Sequence, residues 1–213
     1  MTMSALAARA AIGSAALALI ALAMLHVLKP ELHPGQTMIS RYALGRFGWL
    51  MALCFAAFGA ASASLFAALV PHMPLRVGRA GLALLLTAAI GFVMAARFPM
   101  DPVSTPPARM SFAGRMHGVA FLVGVPSMLL AALLLSVALG MQTPRLSLPL
   151  MTITAAIWVS LISMIAIMLM VGPGRPPDRD GPGRFVGWPN RSLMVAYAVW
   201  VIVVAWPMAM RAG

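Results

Sequence analysis

The side chains able to do chemistry are few. Four acids (Glu31, Asp101, Asp178, Asp180) and four histidines (His26, His33, His72, His117) stand among many apolar residues. Asp101 with His33 and His117 would supply one carboxylate and two imidazoles. Such a set can hold a zinc ion and leave a position open for water. Ser40, Arg41 and Arg115 fall in the same stretches of chain, and guanidinium forks match the geometry of phosphate. These residue types suit two chemistries: metal-dependent hydrolysis of a lipid, or binding of an anionic headgroup with no reaction. The sequence contains no His-Glu-x-x-His, no paired cysteines and no nucleophile elbow. A bis-histidine haem would need paired histidines deep in facing helices, and no histidine is centrally placed in an apolar stretch.

Long apolar stretches must position these groups. Hydrophobic residues make up 62% of the 213-residue chain and charged residues 9%, against roughly 45–50% and about 25% in soluble domains. A soluble protein of this size has too much surface to hide that excess. Six stretches reach the length of about 20 residues that a membrane crossing requires. They lie near Ala5–Leu28, Phe47–Val70, Ala80–Ala96, Met116–Gly140, Leu150–Val171 and Ser192–Met210. In hydrocarbon each backbone amide must be satisfied within its own segment, which selects helices. The alternating polarity of a membrane β-barrel is absent from the sequence. The expected fold is all-α, a single integral membrane bundle of six transmembrane helices.

An even number of spans places both termini and the even-numbered gaps at one end of the bundle. All four acids, and three of the four histidines, then fall at the other end. Of the fifteen basic residues, Arg9, Arg76, Arg79, Arg145 and Arg211 belong to the terminal end, leaving ten at the odd-gap end. The positive-inside rule puts that richer end in the cytoplasm of a cell whose inner membrane holds the protein. The net charge of +11 fits attraction to anionic lipid headgroups. The basic residues are scattered without the aromatic interleaving of a single-strand binder, so no nucleic-acid partner is expected. A partner membrane protein is compatible with the same surface.

Within the odd gaps, prolines flank Met100-Asp101 and forbid regular helix, so Asp101 is presented in a defined pose. Asp101 then either pairs with Arg97 or Arg115, or lies over the N-terminus of the fourth helix. The fifth gap, Gly172–Gly183, has the composition of a linker. In the fourth helix Gly114, His117, Phe121, Gly124 and Met128 follow helical spacing, a stripe that directs His117 inward. In the second, Gly59, Ala60, Ala63, Ser64 and Ala67 are small enough to let a neighbouring backbone approach. Trp49, Trp188 and Trp206 lie near span ends, as an interfacial aromatic belt requires.

The run His33-Pro34, Ile39-Ser40-Arg41-Tyr42-Ala43-Leu44-Gly45 and Gly48-Trp49-Leu50-Met51 continues with Phe98-Pro99-Met100-Asp101-Pro102 and Gly114-Arg115-Met116-His117. In this order the motifs resemble the multi-pass membrane family known as domain of unknown function 998. The Phe-Pro-x-Asp turn followed by a histidine opening the next helix is the most specific part. Relatives often carry an acid between the serine and the tyrosine, where this chain has Arg41. The resemblance implies the fold and a membrane location, and no activity. The residues themselves suit a lipid-headgroup or partner-binding protein first, a metal-dependent hydrolase second, and a small-solute transporter last, since no acid or base lies mid-span.

Overall fold

The computed structural model describes residues 2–171 and 182–210. The linker expected over Gly172–Gly183, with Asp178 and Asp180, lies almost wholly outside the described residues. Six helices form: α1 Met3–Leu28, α2 Gly48–Leu69, α3 Arg76–Arg97, α4 Phe112–Gln142, α5 Pro144–Val171 and α6 Gly187–Ala209. Short 3-10 turns cover Ile39–Ala43, Val70–His72, Pro107–Arg109 and Pro182–Phe185. All six helices are long and apolar enough to cross a membrane. The shortest, at 22 residues, would span about 33 Å at 1.5 Å per residue, enough for a hydrocarbon core of about 30 Å.

Each helix packs on its neighbours in the chain, and α1 packs on α6 to close the ring. Small residues make this closeness possible, because lipid offers no hydrophobic drive for helices to associate. On α1, Ala8, Ala11, Ala15, Ala18 and Ala21 form one buried stripe. Where α3 crosses α4, a methyl group added at Gly91 would overlap the backbone of Gly124. On α2 the small-residue face differs from the expected one. Gly59 is buried, but Ala60, Ala63 and Ala67 are exposed, while Ala57, Ala61, Ser62 and Ala68 face the bundle. Each residue turns the helix by about 100°, so a shift of one position in phase exchanges the inner face for the outer.

The apolar middle of the bundle holds a few polar, uncharged side chains. Ser62 Oγ donates to the Phe58 carbonyl at 2.9 Å, and Tyr197 Oη lies 2.7 Å from the same Oγ. Ser62 has one proton, so Tyr197 is the donor of the second bond. Trp200 Nε1 donates to Ser136 Oγ at 2.8 Å, and Ser136 bonds Thr154 Oγ1 at 2.9 Å. The rings of Phe58, Phe92, Tyr197 and Trp200 form a continuous stack, with successive centroids 5.3, 5.8 and 5.9 Å apart. The aromatic stack and hydroxyl pairs together link α2, α3, α4, α5 and α6.

Candidate functional site

The end of the bundle formed by the odd-numbered loops is built around the first loop, residues 29–47. The first turn of α6 staples this loop down. Gly187 N–H donates to the Gly35 carbonyl at 2.7 Å, and Asn190 Oδ1 accepts from Ile39 N–H at 2.7 Å. Gly187 and Gly35 must both be glycine here, since a methyl on the first would overlap the Pro34 carbonyl and on the second would press on Trp188.

Arg191 completes the staple. Its Nε donates to His26 Nε2 at 2.7 Å, Nη1 to the carbonyls of Thr37 at 2.6 Å and Gly187 at 3.0 Å, and Nη2 to Tyr42 Oη at 2.9 Å. Tyr42 in turn donates to the Leu32 carbonyl at 3.0 Å. Lys29, also buried, donates to the carbonyls of Leu44 at 2.5 Å and Tyr42 at 3.3 Å. Two cations are thus buried with no carboxylate against them among the described residues. They are satisfied by carbonyls, a phenol and an imidazole, and their work is to hold the first loop over the bundle. Sequence reasoning missed Arg191 because it placed Arg191 in the loop. Asn190 and Arg191 in fact continue the buried stripe of Met194, Tyr197, Ala198 and Val201 back by one turn, at helical spacing the sequence already displays.

Beside the staple is a cavity of about 70 Å³, walled by Ser40, Phe55, Phe92, His117, Phe121 and Asn190. His117 Nδ1 lies 2.9 Å from the Phe98 carbonyl. A carbonyl only accepts, so Nδ1 carries the proton and Nε2 is the atom left for other partners. Among the described residues the Ser40 hydroxyl has no hydrogen bond. The structure therefore brings Ser40 and His117 to one cavity, with Asn190 as a third polar wall. The α4 stripe faces inward at Gly114, Gly124 and Met128, whereas Phe121 is also open to the outside.

Asp101 lies over the N-terminus of α4. Its Oδ2 accepts from Ser111 N–H at 2.7 Å and its Oδ1 from Ser111 Oγ at 2.8 Å, while Ser111 Oγ accepts from Gly114 N–H at 3.0 Å. Both carboxylate oxygens are occupied in capping the helix, where a negative charge meets the exposed amides. A methyl at Gly114 would overlap Asp101 Oδ2. Neither arginine pairs with this carboxylate: Arg115 donates to the Met110 carbonyl at 2.9 Å, and the Arg97 guanidinium lies over the Phe98 ring. His33 is exposed in the first loop, with Nδ1 accepting from Gly35 N–H at 3.3 Å. Arg41 is half-buried in the 3-10 turn and Arg115 is exposed. His33, Arg41, Asp101 and Arg115 do not line the cavity. Among the described residues no three histidine, cysteine, aspartate or glutamate side chains are grouped as a metal centre requires.

No curated protein and no solved structure matches the chain. The model of a family of proteins of unknown function, DUF998, matches residues 11–207. That match covers all but the ends of the six-helix bundle, and the chain belongs to the DUF998 family.

Proposed function

We propose that this membrane protein binds an anionic lipid at the end formed by its odd-numbered loops. The observation that carries this reading is the shared cavity of Ser40 and His117, in which a hydroxyl and an imidazole Nε2 remain unspent between aromatic walls. Both residues are half-buried, so their two free polar atoms beside a mostly apolar recess suit a ligand with a hydrogen-bonding head and an apolar body. Arg41 and Arg115 stand in the adjoining loop and helix, and arginine suits phosphate. With ten of the fifteen basic residues at this end, the bound lipid would belong to the cytoplasmic leaflet, where anionic headgroups concentrate.

The test is photolabelling with a phosphatidylglycerol analogue carrying a diazirine in its acyl chain. Adducts are expected on the peptide containing Phe121. They should fall in the Ala95→Leu variant, which fills a wall of the cavity, and in the Ser40→Ala/His117→Ala pair. Labelling there that is indifferent to both changes, or equally strong with a phosphatidylcholine analogue, would overturn the reading.

A further inference from the structure

A wide cleft lies at the opposite end, away from Ser40, His117 and Asp101. Between the ends of α2, α4 and α6 and the beginnings of α3 and α5 is a cleft of about 1280 Å³. Its walls are mostly apolar, with Phe66, Leu82, Leu86 and Val204 among them, and its polar lining is Arg79, Arg145, His72, Gln142 and Thr143. We propose that this cleft is a second lipid site, which seats an acyl chain of a phosphatidylglycerol-type lipid with its phosphate between Arg79 and Arg145.

Depth, charge and closure support this assignment. Leu86 lies ten residues beyond the start of α3 at Arg76, about 15 Å at 1.5 Å per residue. That is the thickness of one leaflet of a hydrocarbon core of about 30 Å, so the cleft has the height of one lipid. Arg79 uses Nε on the Met73 carbonyl at 3.4 Å, which leaves its two terminal nitrogens. Arg145 is exposed, without a hydrogen bond among the described residues. All four acids of the chain lie in sequence between α1 and α2, α3 and α4, or α5 and α6. No segment lining the cleft contains one, so the two arginines line a mostly apolar recess with no carboxylate from those segments. An anion with an apolar tail complements that arrangement, and guanidinium forks favour phosphate. Val204 and Leu139 line the cleft one turn from Trp200 and Ser136, whose hydrogen bond closes the bundle beneath it. The proposed seat is therefore a recess for one leaflet, with this bond and the aromatic stack between it and the other end.

The full chain, with Cys54→Ala to remove its own thiol, is reconstituted in nanodiscs with the same photoreactive phosphatidylglycerol. Adducts are expected on the α3 peptide around Leu82 and Leu86, resistant to excess inorganic phosphate and weaker with the phosphatidylcholine analogue. Arg79→Gln and Arg145→Gln should each cut the preference for the anionic lipid roughly fivefold, the worth of one basic side chain at an anionic surface. Ala83→Phe, which fills the wall, should abolish the α3 adducts and leave labelling near Phe121 intact. That independence separates this site from the one at the other end. Headgroup preference unchanged in the double arginine variant would overturn the proposal, as would α3 labelling that survives Ala83→Phe. So would rapid reaction of Leu86→Cys with a membrane-impermeant maleimide, which would make the cleft a water-filled vestibule.

Discussion

Arg191 Nε donates to His26 Nε2 at 2.7 Å, and His26 Nδ1 lies 2.6 Å from the Leu22 carbonyl. A guanidinium only donates and a carbonyl only accepts, so the two bonds together require a neutral ring with its proton on Nδ1. The histidine thus relays a backbone carbonyl of α1 to a cation of α6 and locks the ring of helices where it closes. His26→Ala leaves a buried N–H of a charged group without a partner, at a cost of about 1–3 kcal/mol. For a chain of this size that is a fall of about 2–12 °C in Tm, measured on purified protein in detergent. An unchanged Tm would show that water or detergent reaches Arg191, contrary to its burial.

Asp101 and Gly114 form a second coupled pair, and their coupling has a sign. Asp101→Ala removes a carboxylate that holds the first turn of α4, and cap losses of this kind cost about 0.5–2 kcal/mol. Gly114→Ala alone should also destabilise, because the new methyl overlaps Asp101 Oδ2. In the Asp101→Ala background the obstruction is gone, and alanine is a better helix former than glycine by up to about 1 kcal/mol. The second substitution should then be neutral or stabilising. Thermal melts of the two single variants and the double variant form the cycle; strict additivity would mean that the carboxylate does not sit over Gly114.

The sequence carried the six spans and the DUF998 membership because both depend on local features, runs of apolar residues and short motifs along the chain. It was less able to fix phase and ends. Beginning α6 at Ser192 made Arg191 a loop charge; five more residues of helix, from Gly187, put it inside. On α2 alanines occur on all sides, so composition could not say which of them met α3, and the stripe of Ala60, Ala63 and Ala67 proved to be the outer one. Asp101 was legible as a posed residue from its flanking prolines, and the helix end it caps was one of two readings the sequence left open. The cavity of Ser40 and His117 joins residues 77 positions apart in the chain, and no local pattern announces such a meeting.

Two glycines of similar appearance should respond in opposite ways. Gly91 meets Gly124 backbone to backbone at the crossing of α3 and α4, while nothing lies within 4 Å of a methyl group added at Gly13. Gly91→Ala forces the two helices apart, and overpacking of this sort costs about 1–3 kcal/mol. Gly13→Ala adds helix propensity with no clash and should be neutral or stabilising by up to about 1 kcal/mol. Melting curves for the pair check this, and a Gly91→Ala variant as stable as the parent would mean that α3 and α4 are not in close contact.

Trp200→Phe probes the closure between the two clefts. The indole N–H donates to Ser136 Oγ, yet Ser136 keeps its bond to Thr154 when the indole is gone. No hydroxyl is orphaned, so the loss should match the mean value of hydrogen bonds between membrane helices, about 0.6 kcal/mol, and stay below about 1.7. The ring itself still fills its place beside Tyr197. Removal of that ring in Trp200→Ala is a different experiment, because truncating a buried aromatic costs about 3–5 kcal/mol and opens space between the recess at Arg79 and Arg145 and the cavity at Ser40 and His117. Anion or proton leak in vesicles should be absent in the parent and in Trp200→Phe, and should appear in Trp200→Ala. Leak through the parent protein would mean that the aromatic stack opens in the membrane, and would move transport ahead of lipid binding as the account of both clefts.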